Sequence, residues 1–138
     1  MSDRSPRFQI SIQVMFFDTD CAGVVHNIAY LRFIETARTL LAEALGWKLT
    51  GMADSGQYPV VVRTEIDYRR PARLGDTLVV DGWLETIESA RFWCAFTVKR
   101  GEAVLVTCRQ MLAVVQMPCG RPMRLPGDWK ERWPHLSQ

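Results

Sequence analysis

The chain has 138 residues, of which 48% are apolar and 23% are charged, and its formal net charge is +2. This length suffices for one domain with a sizeable core, residues 1–138, and the composition is that of an ordinary soluble protein. So small a net charge gives no reason to expect nucleic-acid binding, and two histidines are too few for a histidine-rich metal site.

The cysteines and the first residues bear on the cellular compartment. Cys21, Cys94, Cys108 and Cys119 are widely spaced and form no CxxC pair, which favours free thiols over a disulfide framework or a zinc site. The opening residues, MSDRSPRF, lack the apolar segment of a signal peptide, and no run approaches the ~18 apolar residues of a membrane span. We therefore expect a cytoplasmic protein without a membrane span.

The first predicted element is a strand over residues 8–17. Its apolar side chains alternate with polar ones, so that one face of the strand is buried. The residues expected on that face are Phe8, Ile10, Ile12, Val14 and Phe16.

The period changes over residues 27–45, where apolar side chains recur at spacings of three and four. This pattern predicts an amphipathic helix of about five turns, with Asn27 as its N-cap and Gly46 as its C-terminal stop. Residues 46–57 are expected to form a loop with a short helical turn. The expected apolar stripe consists of Tyr30, Phe33, Ile34, Ala37, Leu40, Leu41, Ala44 and Leu45.

From Pro59 onward the pattern predicts strands almost to the end of the chain. A break with Pro71 and Gly75 separates the first of them from three long strands, and the short links between those three suit antiparallel hairpins. The four predicted strands cover residues 60–68, 77–87, 91–100 and 103–117. Residues 118–138 contain four prolines and are expected to form a loosely ordered peripheral tail.

This order of elements predicts an α+β fold with one five-stranded antiparallel sheet. The single helix can bury its apolar stripe only against that sheet. One helix cannot cover five strands, and the sheet edges need partners. We therefore expect a homo-oligomer.

The stretch between the first strand and the helix carries a motif, DTDCAGVVHN, at residues 18–27, followed by Tyr30. It resembles the 4-hydroxybenzoyl-CoA thioesterase-like acyl-CoA thioesterases, which have Asp-x-Asp-x-x-Gly, two apolar residues, a polar or aromatic pair, and a helix containing Tyr. Residues 68–80, YRRPARLGDTLVV, are similar to the sheet entry of that family. The resemblance covers roughly residues 8–117 and implies the hot-dog fold, in which the sheet wraps around one long helix.

The resemblance also implies an activity, the hydrolysis of an acyl-CoA thioester without a metal or redox cofactor. In that family the second acid, here Asp20, acts as nucleophile or general base. The thioester carbonyl is polarised by a backbone N–H at the helix start, which corresponds to Asn27. Some members have a histidine at this position, whereas here His26 stands one place earlier as a further catalytic candidate. Free N–H groups at a helix start suit a developing oxyanion.

Several neighbouring residues are candidates for substrate binding. Gly23 lets the backbone turn tightly between acid and helix. Coenzyme A carries phosphates, which the guanidinium groups of arginines recognise. Separately, the family resemblance implies a tetramer built from dimers. The candidate pocket walls are Val24, Val25 and Tyr30, and the candidate phosphate contacts are Arg69, Arg70 and Arg91.

Other interpretations of these residues stay open at this level. Asp20 can cap the following turn, Asp18 is expected to support that turn, Tyr30 can be a core residue, and the arginines can form a solvated face. Two other functions compete with hydrolysis: a hydratase-like enzyme on the same fold, and a protein that binds acyl-CoA or an acyl carrier protein without hydrolysis. The pattern does not identify the acyl group or distinguish a dimer from a tetramer.

Overall fold

The computed structural model describes residues 6–47 and 49–137. Two 3₁₀ turns, at Phe16–Asp18 and Pro134–Leu136, accompany the regular elements. These elements are β1 (Arg7–Gln13), α1 (Asn27–Ala44), α2 (Leu49–Ser55), β2 (Gln57–Tyr68), β3 (Thr77–Ile87), β4 (Arg91–Arg100), β5 (Ala103–Gln116), β6 (Arg121–Met123) and α3 (Trp129–Arg132).

The long strands form one antiparallel sheet in the order β1-β3-β4-β5-β2. The predicted α+β architecture is therefore confirmed. The predicted number of strands is wrong by one, because the short strand β6 pairs with the end of β5 beyond the start of β4. No helix in the described part of the chain is long and apolar enough to cross a membrane.

Helix α1 lies across the inner face of the sheet and buries one side against it. Apolar side chains from β3, β4 and β5 complete the same core. Two residues of the expected stripe depart from it, since Leu40 is half-buried and Ala44 is exposed. The helix ends near the predicted place, and Gly46 adopts a φ of +109°, which favours glycine. The buried helix residues are Ala29, Tyr30, Phe33, Ile34, Ala37, Leu41 and Ala42.

The first strand is shorter than predicted. It ends at Gln13, and Phe16 is 80% exposed instead of buried. The cause is local, because the Asp18 carboxylate accepts the Met15 N–H at 2.9 Å and stabilises a 3₁₀ turn. This turn takes Phe16 off the face of the strand.

The C-terminal segment is ordered, which contradicts the expectation of a loose tail. Trp129 is 1% exposed and Trp133 is 3% exposed. The Trp129 ring packs edge-on against Trp47 and Phe92, with centroid distances of 5.2 and 5.1 Å. The tryptophans, four residues apart on a short helical turn, thus anchor the segment on the core despite its prolines.

Candidate active site

The segment between β1 and α1, residues 18–26, is held by a dense set of short contacts and is called here the acid loop. Asp18 is 2% exposed and forms an ion pair with Arg32 of α1. Its backbone carbonyl accepts the N–H of His26 at 3.1 Å. Asp18 therefore ties the loop to the helix, in agreement with the supporting role expected for it.

Removal of the Asp18 carboxylate should destabilise this loop. We expect Asp18→Ala to lower the free energy of unfolding by about 1–3 kcal/mol, because the Met15 N–H loses its acceptor and Arg32 loses its partner. Urea unfolding measures the loss. Asp18→Asn keeps an acceptor for Met15 and should lose less, and equal losses for the two variants would contradict the role of that hydrogen bond.

Asp20 lies on the exposed side of the acid loop, at the wall of a cleft. Its Oδ1 accepts the N–H of Ala22 at 2.9 Å and that of Val24 at 3.4 Å. The turn-capping interpretation is therefore correct for this oxygen. Its Oδ2 receives no hydrogen bond from the described residues, so the carboxylate has one oxygen that fixes its orientation and one available to a ligand.

The backbone of the acid loop turns at Gly23, whose φ is +79°. A side chain at this position would be strained by that φ, although no atom lies within 4 Å of where a Cβ would be. The turn returns the chain so that Val24 O accepts the Asp20 N–H at 2.9 Å. Glycine is thus required here for backbone conformation and not for space.

Helix α1 has a different N-cap residue from the one predicted. His26, and not Asn27, is the N-cap, and its Nδ1 accepts the Ala29 N–H at 3.2 Å. A neutral imidazole then carries its proton on Nε2. The backbone N–H groups of Asn27 and Ile28 donate to no atom of the described residues, as is usual for the first helical turn. These two N–H groups are available to an oxygen in the cleft.

Asp20 and the helix start share one cleft of about 900 Å³. Tyr30 is buried, and its hydroxyl accepts the Ala72 N–H at 2.8 Å. Burial raises the pKa of Tyr30, with the Ala72 hydrogen bond opposing this shift. Tyr30 is thus both a core residue and part of the cleft wall. The cleft is lined by Asp20, Val24, Val25, His26, Asn27, Ile28, Tyr30, Tyr68, Arg69, Arg70 and Pro71.

Two of the three arginines predicted to contact phosphates, Arg69 and Arg70, line this cleft and are exposed. The third, Arg91, does not line the cleft. It begins β4, whereas Arg100 at the other end of β4 reaches the carbonyl of Pro71 in the cleft wall. A strand of this length separates the two ends by about 30 Å, so Arg91 lies outside this cleft and its contact with a phosphate stays a prediction.

Three cleft residues, Ile28, Tyr68 and Pro71, were not predicted from the sequence. Ile28 is off the apolar stripe of the helix and is 74% exposed, and Tyr68 is 44% exposed. The sequence signal that could have identified Ile28 and Tyr68 was the presence of an apolar residue at the end of an element, here at the start of α1 and at the end of β2. In the described ranges, no group of three His, Cys, Asp or Glu side chains is arranged to hold a metal ion.

Comparisons with known proteins find relatives over most of the chain. The family model described as the thioesterase-like superfamily matches residues 14–133. The acyl-CoA thioesterase YbgC of Haemophilus influenzae is 29% identical over 131 residues, covering 94% of this chain and 96% of that protein. The matched range contains the acid loop, α1 and the long strands β2 to β5.

Two crystal structures superpose on nearly the whole chain. A probable thioesterase from Bartonella henselae has a TM-score of 0.81 at 30% identity and covers 87% of this chain and 99% of its own. A 1,4-dihydroxy-2-naphthoyl-CoA thioesterase from Synechocystis has a TM-score of 0.79 at 25% identity, with coverages of 94% and 97%.

Proposed function

Since this chain belongs to the thioesterase-like superfamily and is a thioester hydrolase, we propose that it hydrolyses an acyl-CoA thioester to a carboxylic acid and free coenzyme A. The family resemblance noted in the sequence and the hot-dog fold are both confirmed by the comparisons. The residues that perform the reaction are part of the proposal.

One observation carries the assignment of the reacting groups. Asp20, Asn27 and Ile28 line the same cleft, and within the described residues the Asp20 Oδ2 and the N–H groups of Asn27 and Ile28 have no hydrogen-bond partner. A thioester carbonyl can place its oxygen against the two amides while its carbon faces the carboxylate. Preorganised donors at a developing oxyanion contribute roughly 3–4 kcal/mol each to catalysis.

Two routes are consistent with this arrangement. In one, the Asp20 carboxylate attacks the carbonyl carbon, the C–S bond breaks, and water then hydrolyses the resulting mixed anhydride. In the other, Asp20 removes a proton from water, which attacks the carbon directly. In both routes the coenzyme A thiolate leaves and takes a proton. His26 is placed to position the first helical turn through its Nδ1 bond to Ala29.

Substrate binding is assigned to Gly23 of the acid loop and to three apolar residues of the cleft. Gly23 gives the acid loop its turn, and Val24, Val25 and Tyr30 form apolar walls. Label in the carboxylate of the enzyme after single-turnover hydrolysis in ¹⁸O-labelled water would establish attack by Asp20, because the general-base route places the label in the product acid alone.

Arg69 and Arg70 are assigned to the phosphates of coenzyme A. We expect the double substitution Arg69→Ala and Arg70→Ala to raise KM for acyl-CoA at least about tenfold, since charge-assisted bonds to phosphate are lost. Steady-state kinetics with acyl-CoA, and with the matching N-acetylcysteamine thioester that has no phosphate, measure the effect. Equal KM changes for both substrates, or none for either, would contradict the assignment.

A homo-oligomer, a dimer or a tetramer, belongs to the same proposal. Within the described residues β2 is an edge strand that pairs with β5 alone, and its side chains Val60, Val61 and Val62 are 39%, 39% and 48% exposed. A second copy that pairs with this edge would cover these side chains. Sedimentation of the parent protein should show an assembly of two or four chains, and a species of one chain at all concentrations would refute it.

A cytoplasmic location is retained as part of the proposal, because the four free thiols suit a reducing compartment. Separation of a cell extract into soluble and membrane fractions tests it.

The activity itself is tested by thiol release from a panel of acyl-CoA substrates. Short-chain, branched and aromatic acyl groups should be included, and 1,4-dihydroxy-2-naphthoyl-CoA among them because of the Synechocystis enzyme. Release from at least one substrate supports the proposal. Saturable binding of the panel without release would instead favour a protein that holds acyl-CoA or an acylated carrier.

A further inference from the structure

A second, smaller chamber of about 150 Å³ lies at the other end of α1, between that helix, α2 and the sheet. It shares no lining residue with the cleft. Leu41 in its wall lies fourteen positions beyond Asn27, which corresponds to about 21 Å along the helix. The chamber is therefore separate from the site of the proposed hydrolysis.

The walls of this chamber are mostly apolar. Leu41, Trp47, Phe92 and Leu112 contribute buried side chains. Burial raises the pKa of the Cys94 thiol to about 12, so this wall residue is neutral. An apolar cavity of this volume, lined by aliphatic and aromatic side chains, accommodates a molecule of the size of benzene.

Among the lining residues that the structure describes, Arg38 is the one charged side chain, and it is 20% exposed. Its Nη1 donates to Gln110 Oε1 at 2.8 Å, which is a neutral acceptor. Its Nη2 lies 3.5 Å from Glu35, a long contact to a carboxylate that is 64% exposed. A guanidinium has five N–H donors, and three of those of Arg38 donate to no atom of the described residues.

The electrostatics of Arg38 agree with this account. Burial lowers the pKa of Arg38, although the Glu35 carboxylate opposes the shift. A carboxylate at the mouth of the chamber would compensate the charge, and the geometry of a guanidinium matches two carboxylate oxygens. The other polar wall residue, Thr39, is already engaged, because its hydroxyl donates to Glu35 O at 2.9 Å.

From the apolar chamber and the cation beside it, we infer that this is a second binding site for a small free carboxylic acid in its anionic form. The carboxylate lies on Arg38 and the apolar part fills the chamber among Trp47, Phe92 and Leu112. The volume limits that apolar part to about six carbon atoms, either a ring or a short chain. The inference does not depend on catalysis in the cleft.

Titration of the parent protein with benzoate, and with the neutral analogue benzyl alcohol, tests this inference directly. The readout is the methyl ¹³C signal of Met52, which lines the chamber, assigned among the six methionines with the Met52→Leu variant. Benzoate should shift this signal saturably and bind at least about tenfold more tightly than benzyl alcohol, because only benzoate forms charge-assisted bonds. No shift at millimolar benzoate, or equal affinity for the two, overturns the inference.

Three variants locate the contact. Arg38→Met should weaken benzoate binding at least about tenfold and leave benzyl alcohol nearly unaffected. Ala42→Phe, which fills the chamber and keeps the charge, should abolish both. Arg70→Met, the same change at the cleft, should leave the Met52 response unchanged, and loss of that response in this variant would assign the ligand to the cleft and overturn the inference.

Discussion

Asp20→Asn should lower kcat for acyl-CoA hydrolysis by about a thousandfold, with little change in the free energy of unfolding. The amide oxygen of asparagine can still accept the N–H groups of Ala22 and Val24, so the turn is kept. The variant lacks only the charge and basicity of the free oxygen. Thiol release under saturating acyl-CoA measures kcat, and urea unfolding measures stability.

Asp67→Asn is the matched control for this variant. Asp67 is also an exposed carboxylate, but it lies on β2 outside the cleft. Its substitution should leave kcat within about twofold of the parent value. If Asp20→Asn retained the parental kcat, the acid of the proposed reaction would have to be another residue.

Trp129→Ala should lower the free energy of unfolding by about 3–5 kcal/mol. The Trp129 side chain is 1% exposed and contacts the rings of Trp47, Phe92 and Trp133. Its truncation leaves a large cavity that these neighbours cannot all collapse into. Urea unfolding followed by circular dichroism gives the loss independently of tryptophan fluorescence.

Trp93→Ala is the control for the aromatic cluster. Trp93 is half-buried, and Arg109 lies over its ring at 4.2 Å. Its loss removes a partly solvated contact, so we expect a decrease of about 1 kcal/mol. A smaller loss for Trp129→Ala than for Trp93→Ala would show that the C-terminal segment is peripheral, as its prolines first indicated.

The periodicity of apolar residues correctly predicted those elements that bury the same face from end to end. Helix α1 and the strands β3 to β5 lie close to their expected bounds because each buries one face along its whole length. Phe16 departs from its alternating pattern because a single side-chain hydrogen bond, from Met15 to Asp18, favours a turn over a strand. Whether such a turn or a strand forms depends on the geometry of individual hydrogen bonds, which the alternation of apolar and polar residues does not reveal.

For the candidate site, too, the sequence predicted some features correctly and others not. The motif placed Asp20, Asn27 and Gly23 in one loop and helix start. The structure brings Asp20 and Asn27 to one cleft with Arg69 and Arg70, while Gly23 forms the turn between them. The prediction of Asn27 as the N-cap is wrong, because the neighbouring His26 can also accept from a helical N–H and holds that place. Arg91 was grouped with the other arginines by residue type, but strand direction places it at the far end of β4.

The most direct test is a crystal structure with a non-hydrolysable ketone analogue of acyl-CoA, in which a methylene group replaces the thioester sulfur. We expect the ketone oxygen about 2.7–3.1 Å from the N–H nitrogen of Asn27 or Ile28, and the carbonyl carbon about 3–3.5 Å from an Asp20 carboxylate oxygen. A ketone that contacts neither the first turn of α1 nor Asp20 would contradict this expectation.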